Sequence, residues 1–531
     1  MPRTEQKAKH AVIILVDAMR SYKSEIGDDR DRLDVMDELG QESIEFTNVI
    51  TSAPSSVMSI SAMMTGIPSY FIGLNYMDFK YNPHLFPSIP SLWRAKGYRF
   101  KSFLNSLETR TVFDKLLTPV ENNFLPKGLD PYEKRWSNEE VNTVLNNYLS
   151  NNTFEKPTFF FIWFNIRLDP QTNQHLKNCI QLLKDHSIWD NSFNIVTADH
   201  GYLDPRRGFT PEKLKQMGIT HDNLVTDDQI KIPFCLKLPN TPSQKIASTI
   251  STLDLLPTFV NYFHLDYPVK TAIKPTGRDL IDLIETKEHN LNEDILVRSD
   301  GRFMFQPGRV TAIRGNKYKY VYDHDAKSES FYDITTDFHE ENDLTENMSE
   351  HSETLKKSFT KFKKHFQESE QEAEDFFIQI TFEKFNTRVL SKIDKKTVNT
   401  MALIQFCNPR SFNLIKQICR EQFPIATIDS HIYTQGNLHD NNQYDIKIAL
   451  YDSSFDKKDK SLVMYYNKII ASDKFSLDIN MDMVSLQDQV DPTIILSAIK
   501  REIKKVINKP STLLNVRRYI KFLTFINPRK Q

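Results

Sequence analysis

Three stretches of the chain read as apolar runs of parallel-strand type: residues 10–17 (HAVIILVD), 157–166 (PTFFFIWFNI) and, with more polar positions, 191–199 (NSFNIVTAD). Continuous runs of this length, as opposed to alternating ones, mark parallel strands buried on both faces. Between the last two, HLKNCIQLLKDHSIWD places Leu176, Cys179, Ile180, Leu182 and Leu183 at helical spacing. Strand, helix, strand in that order is a crossover unit, so the N-terminal part is expected to be an α/β sandwich.

The rhythm breaks near residues 350–395, where Glu and Lys dominate and ESEQEAEDFF reads as an exposed helix or a linker. It then restarts. TMALIQFC, PIATIDSHIY and DIKIALYD read as strands, and PRSFNLIKQICREQF as a helix with proline near its start. The expected organisation is a first domain over 1–365, a charged linker or helix over 366–395, and a small Rossmann-like α/β domain over 396–531. The second domain has no glycine-rich phosphate loop, and no internal repeat is evident. Its last thirty or so residues are basic with interleaved aliphatics and aromatics. A solvated helix with one packed face is the simpler reading; contact with a membrane surface or a polyanion is the other.

Composition narrows the class. At 531 residues the chain is too long for one ordinary core. With 39% apolar and 26% charged residues and a net charge of −1, it is globular, and no global charge bias points to nucleic acid. The N-terminal basic residues and apolar run superficially resemble a secretory signal. That run is interrupted at Asp17, however, and no small-residue cleavage site follows. No apolar stretch reaches the roughly 20 residues that span a bilayer. Cys179, Cys235, Cys407 and Cys419 form no CxxC, which argues against a zinc cage or disulfide framework. A cytoplasmic location is the expectation.

In an open parallel sheet, ligands bind at the carboxyl ends of the strands. Asp17 ends the first strand, and Asp199 with His200 ends another. Two carboxylates and an imidazole at one edge suit a divalent cation. Taken singly, an Asp after a strand is more often a turn or cap, and DHG is a common turn. The stretch APSSVMSISAMMTG holds Ser55, Ser56, Ser59 and Ser61 ahead of an apolar segment. Ser56 has two readings: an N-cap accepting backbone N–H bonds, or a hydroxyl at a positive helix end, activated beside a metal.

The order VDAMR, SAPSSVMSISAMMTG, DNSFNIVTADHG, HDNLVTDDQIKIPFCLKLP, STLDLLPTFV, GRDLIDLI and KYKYVYDHDAKSESFYDITTDFHEENDL resembles the sulfatase family of the alkaline phosphatase superfamily, over roughly residues 10–365. The resemblance implies an alkaline-phosphatase-like fold: a large mixed sheet between helices, then a small antiparallel sheet ending near Asp343. It implies one metal-assisted site for hydrolysis of phosphate or sulfate esters, with small-molecule or saccharide esters as substrates. Counted back from Thr65-Gly66, Ser56 falls at the nucleophile, which leaves Ser55, Ser59 and Ser61 as capping or packing groups. Asp17, Asp199 and His200 match the ligands of one divalent metal ion (Mn, Zn or Ca). His221 matches a histidine that contacts the transferred group or the leaving oxygen.

The departures from the family pattern guide the expected mechanism. Met58 and Ile60 stand where a proline and an arginine would allow conversion to formylglycine. Ala18 replaces a frequent second acidic ligand, and Asn165 and Gln171 stand where histidines are common. An unmodified serine lacks the carbon–oxygen exit that sulfate release uses, so phosphoester chemistry is favoured. Two alternatives accompany the hydrolase: a phospho-group transferase to a sugar or alcohol, and a degenerate binding member. Three other features are discounted. Arg20 reads as an anion-orienting group or a surface arginine at a helix start, STLDLLPTFV as a helix opening at Asp254, and PRRGFTPEKLKQ as a solvated loop.

Overall fold

The computed structural model describes residues 8–68 (except 26 and 28), 86–104, 123–124, 136–166, 170–207, 224–267, 275–286, 294–298, 310–388 (except 325 and 347), 400–406, 416, 420, 426–432, 446–451 and 476–480. His221, the proposed helix over 409–423 and the basic C-terminal tail lie outside the described residues. The chain divides into two compact units, Met1–Ser369 and Glu370–Gln531.

The first unit is built on a nine-stranded mixed sheet. Its strands are β1 (His10–Asp17), β2 (Ile44–Ile50), β3 (Arg99–Leu104), β4 (Asn123–Phe124), β5 (Thr158–Asn165), β6 (Ser192–Ala198), β7 (Lys231–Lys237), β8 (Gln244–Ile246) and β9 (Ile250–Ser251). The order across the sheet is β4-β3-β5-β1-β6-β7-β2-β8, with β9 also on β2. β7 runs antiparallel to both β6 and β2, which makes the sheet mixed. β1 lies parallel between β5 and β6, so the three apolar runs of the sequence are the centre of the sheet. Every residue of β5 and β6 is buried.

Successive side chains of a strand point to opposite faces, and β5 shows what each face meets. Phe159 packs against Phe259 of the helix Leu255–Tyr262. Phe160 packs against Tyr148 of the helix Asn138–Ser150. The helices Ser56–Thr65, Ile89–Ala95 and Leu255–Tyr262 contact one another, and Thr172–Asp185 contacts both Asp34–Glu42 and Asn138–Ser150. Two helical layers thus enclose the sheet, which is why its central strands read as unbroken apolar runs.

A second, antiparallel sheet follows: β10 (Ile295–Arg298), β11 (Val310–Arg314), β12 (Tyr318–Asp323) and β13 (Ser328–Asp333). One face packs Val297, Val310 and Ala312 on Ile50 and Ile230 of the large sheet's surroundings. The other packs Ile313, Tyr320 and Phe331 under Phe362 and Phe366 of the helix Glu353–Arg388. The last strand stops at Asp333, earlier than the expected end near Asp343. Asp343 instead returns to the sheet and accepts a hydrogen bond from Phe331 N at 3.1 Å.

The second unit contains a parallel four-stranded sheet of β14 (Thr400–Phe406), β15 (Thr427–Ile432), β16 (Ile446–Tyr451) and β17 (Ser476–Asn480), ordered β15-β14-β16-β17. The charged stretch before it is the helix Glu353–Arg388. No helix among the described residues is long and apolar enough to cross a membrane.

Candidate active site

Strand register brings the site together. Asp17 is the last residue of β1 and pairs with Asn165, the last of β5. On the other side Val16 pairs with Ala198, so Asp199 and His200 leave the sheet beside Asp17. At this edge the chain turns sharply after β1: Ala18 adopts a left-handed backbone (φ 60°), which few non-glycine residues do. That turn aims Ala18 N at Asp199 Oδ1, 3.0 Å away.

Ser56 arrives from a third element. The helix Ser56–Thr65 has Ser55 as its N-cap, with no side-chain capping bond, so Ser56 is the first helical residue and not the cap. The capping reading of Ser56 therefore fails on geometry. Its Oγ lies 3.2 Å from His200 Nε2 and 3.4 Å from Asp17 Oδ1. Gly66 closes the helix in a left-handed conformation (φ 63°), and Met58 and Ile60 are buried in the core. Of the other serines, Ser61 donates to Val57 O, and Ser59 Oγ is buried without a hydrogen bond.

Asp17, Asp199 and His200 each offer an atom within 4.8 Å of the others. Asp199 and His200 are fully buried, and Asp17 is partly open. The fit to a cation can be read atom by atom. Asp199 Oδ1 accepts from Ala18 N and from His200 N (2.9 Å), and its Oδ2 is buried with no hydrogen-bond donor. A buried carboxylate oxygen left unsatisfied is costly unless something positive meets it. His200 Nδ1 faces Gly201 O at 2.7 Å, an acceptor only, so Nδ1 carries the proton. Nε2 then keeps its lone pair, 3.8 Å from Asp17 Oδ1 and 3.6 Å from Asp199 Oδ2. A hydrogen-bonded Nδ1 that fixes the ring for ligation through Nε2 is the usual arrangement of metal-binding histidines. The three residues fit a divalent cation.

Behind the site, Gly201 N donates to Gln229 O at 2.7 Å, and a Cβ on Gly201 would fall 2.1 Å from Asp228 O. Asp228 Oδ2 accepts from Asp204 N (2.6 Å) and Arg207 Nε (2.8 Å). Burial disfavours the Asp204 carboxylate, but hydrogen bonds from Arg206 and Tyr22 outweigh it and hold its pKa at about 2. Arg206 and Arg207, part of the stretch read as a solvated loop, are thus ion-paired at the base of the site.

Several sequence readings change. Arg20 is neither a surface group nor on a helix: it is fully buried, binds Asp31 (3.0 Å), and donates to Leu203 O (2.9 Å), tying the segment after β1 to the segment after β6. Asp254 is structural, as read, but it works in a capping box with Ser251 and accepts from Arg278 N. Gln171 is exposed at the start of the helix Thr172–Asp185. Asn165, which stands where a histidine is common in the family pattern, donates from Nδ2 to Asp17 Oδ2 at 2.7 Å. The roles of Ala18 and Gly201 were missed, although a small residue directly after each ligand group is a signal for tight backbone approach.

Residues 9–165 match the family model described as Sulfatase. Among solved structures, the chain is similar to a protein bound to its substrate D-glucosamine-2-N,6-O-disulfate, with 12% identity, TM-score 0.55, and 70% of this chain and 99% of that one covered. It is similar also to the phosphonate monoester hydrolase of Agrobacterium radiobacter, with 13% identity, TM-score 0.51, and coverage of 69% and 96%. A third, Ps i-CgsB in complex with k-i-k-neocarrahexaose, gives 15% identity, TM-score 0.51, and coverage of 68% and 92%. At these identities the likeness establishes the fold. No curated protein matches the sequence.

Proposed function

We propose that the chain, whose residues 9–165 match the Sulfatase family model, is a metal-dependent ester hydrolase that uses unmodified Ser56 as its nucleophile. The observation that carries this reading is Ser56 Oγ, 3.2 Å from His200 Nε2 and 3.4 Å from Asp17 Oδ1, at the first position of a ten-residue helix. The N-terminal N–H groups and dipole of that helix favour negative charge on the attacking oxygen and on the transferred group. A cation held by Asp17, Asp199 and His200 would lower the pKa of the serine hydroxyl and polarise the ester.

The remaining work belongs to the chain. Ser56 Oγ attacks the phosphorus or sulfur centre, its proton leaves to a neighbouring acceptor, and the alcohol departs with a proton, a role that falls to His221 on the family pattern. The Ser56 ester then opens to water. Opening a phosphoserine needs only in-line attack at phosphorus, whereas an unmodified sulfoserine lacks the aldehyde-forming exit, so phosphate, phosphonate and phosphodiester substrates fit better than sulfates. One nitrogen and two carboxylates, with Ala18 in place of a further acid, suit Mn or Zn better than Ca, which takes six to eight oxygens.

Ser56→Ala tests the reading: turnover of aryl phosphate, aryl phosphodiester or aryl sulfate, with Mn, Zn and Ca supplied in turn, should fall by about a thousandfold or more. Retained turnover removes Ser56 from the role. A transferase reading is favoured by the separate second unit, Glu370–Gln531, which a hydrolytic core does not need. Product analysis with an added sugar alcohol separates transfer from hydrolysis. The orphaned Asp199 Oδ2 argues against a degenerate binding member, which has no reason to keep it.

A further inference from the structure

We propose that Asn165 is a positioning residue of the cation site, one that confines Asp17 to ligation through a single oxygen and sets which class of cation the site prefers. The inference rests on the cation-dependent reading above. Nδ2 of Asn165 holds Asp17 Oδ2 at 2.7 Å and so turns Oδ1 toward Ser56 and His200, 3.4 Å from Ser56 Oγ and 3.8 Å from His200 Nε2.

Asn165 is itself held in place. Its backbone N donates to Asn138 Oδ1 and its backbone O accepts from Asn138 Nδ2, both at 3.1 Å, and Asn138 Nδ2 also reaches Thr172 Oγ1 at 2.8 Å. Asn138 is buried at the first position of a helix whose capping box is complete on Ser137 and Glu140. The end of β5 is therefore clamped by a carboxamide from one helix and a hydroxyl from another. Such support around a ligand fixes its orientation and its basicity.

A packing role alone does not account for an amide here. Asn165 is 8% exposed, and its Oδ1 is buried with no hydrogen bond. Leucine, of similar size, would fill the place without that desolvated acceptor. The amide is kept for its N–H, and the partner of that N–H is Asp17. A carboxylate at 165 would bring a third negative group against Asp17, the donor set of an oxygen-seeking cation; the neutral amide supplies a hydrogen bond without adding charge.

The test is calorimetric titration of the cation-stripped full chain with Mn and with Ca, for the wild type, N165L and N165D. Far-UV circular dichroism and melting without cation confirm folding of each variant. N165L should bind Mn about ten- to a hundredfold more weakly, and N165D should raise the Ca-to-Mn affinity ratio by about tenfold. If N165L fails to fold, the isosteric N165D carries the test. Variants with wild-type Mn affinity and an unchanged Ca-to-Mn ratio overturn this inference alone. A wild-type chain that binds neither cation overturns the functional reading and this inference with it.

Discussion

Gly201 has no room for a methyl group: the carbonyl of Asp228 would lie 2.1 Å from its Cβ, and that carbonyl is backbone and cannot swing away. Gly201 O orients His200 through Nδ1, so any shift at 201 is also a shift of the imidazole. Gly201→Ala should therefore destabilise the chain by about 1–3 kcal/mol or more, and should weaken Mn binding as well. Melting curves with and without Mn check both parts, and an unchanged melting temperature contradicts the packing account. At this scale the sequence was partly legible. Asp17, Asp199 and His200 stood out together, as two carboxylates and an imidazole at one sheet edge, although each alone reads more simply as a turn or cap. Ser56 was named through a family pattern, and the structure shows why spacing alone left it ambiguous: Ser55 and Ser56 differ by one residue at a helix start, and only the fold decides which faces the site. What Asn165 touches was not legible, because a single amide gives no sign of which neighbour it serves.

Among elements, the antiparallel sheet is tied to the site by buried charge. Asp227 is fully buried and pairs with Arg314 (2.7 Å) and Lys319 (3.1 Å), and Lys319 also reaches Glu340 (3.0 Å). Arg207 adds a pair to Asp228 (2.8 Å), one residue from Asp227 and beside Gly201. Burial opposes ionisation of Asp227, yet Arg314 and Lys319 hold it well below the usual carboxylate range; burial pushes Glu340 up. Removing one partner from such a network leaves a buried charge uncompensated. Lys319→Met should lower the free energy of unfolding by about 3–5 kcal/mol, and the double variant with Glu340→Gln by less than the sum of the singles. Denaturant titration of the three variants checks this, and additive losses contradict it. None of this was visible in the sequence, because partners such as Asp227 and Lys319 lie 92 positions apart along the chain. Strands β1, β5 and β6 were visible because burial on both faces writes itself as an apolar run, and β14, β15 and β16 were legible from the apolar residues of their segments.

At the scale of the molecule, the mixed sheet, the antiparallel sheet and the separate parallel sheet follow the expected succession. The succession was readable because each element's hydrophobic period is local, whereas the antiparallel placement of β7 within the large sheet is a non-local choice that its residues do not encode. The account as a whole depends on a covalent ester forming at Ser56. Acid quenching of the purified chain during turnover of an aryl phosphate with Mn, followed by peptide mapping, tests that most directly. The predicted result is phosphate on the peptide containing Ser56, absent when the cation is withheld. Turnover with that peptide unmodified, or with phosphate on another residue, would contradict it.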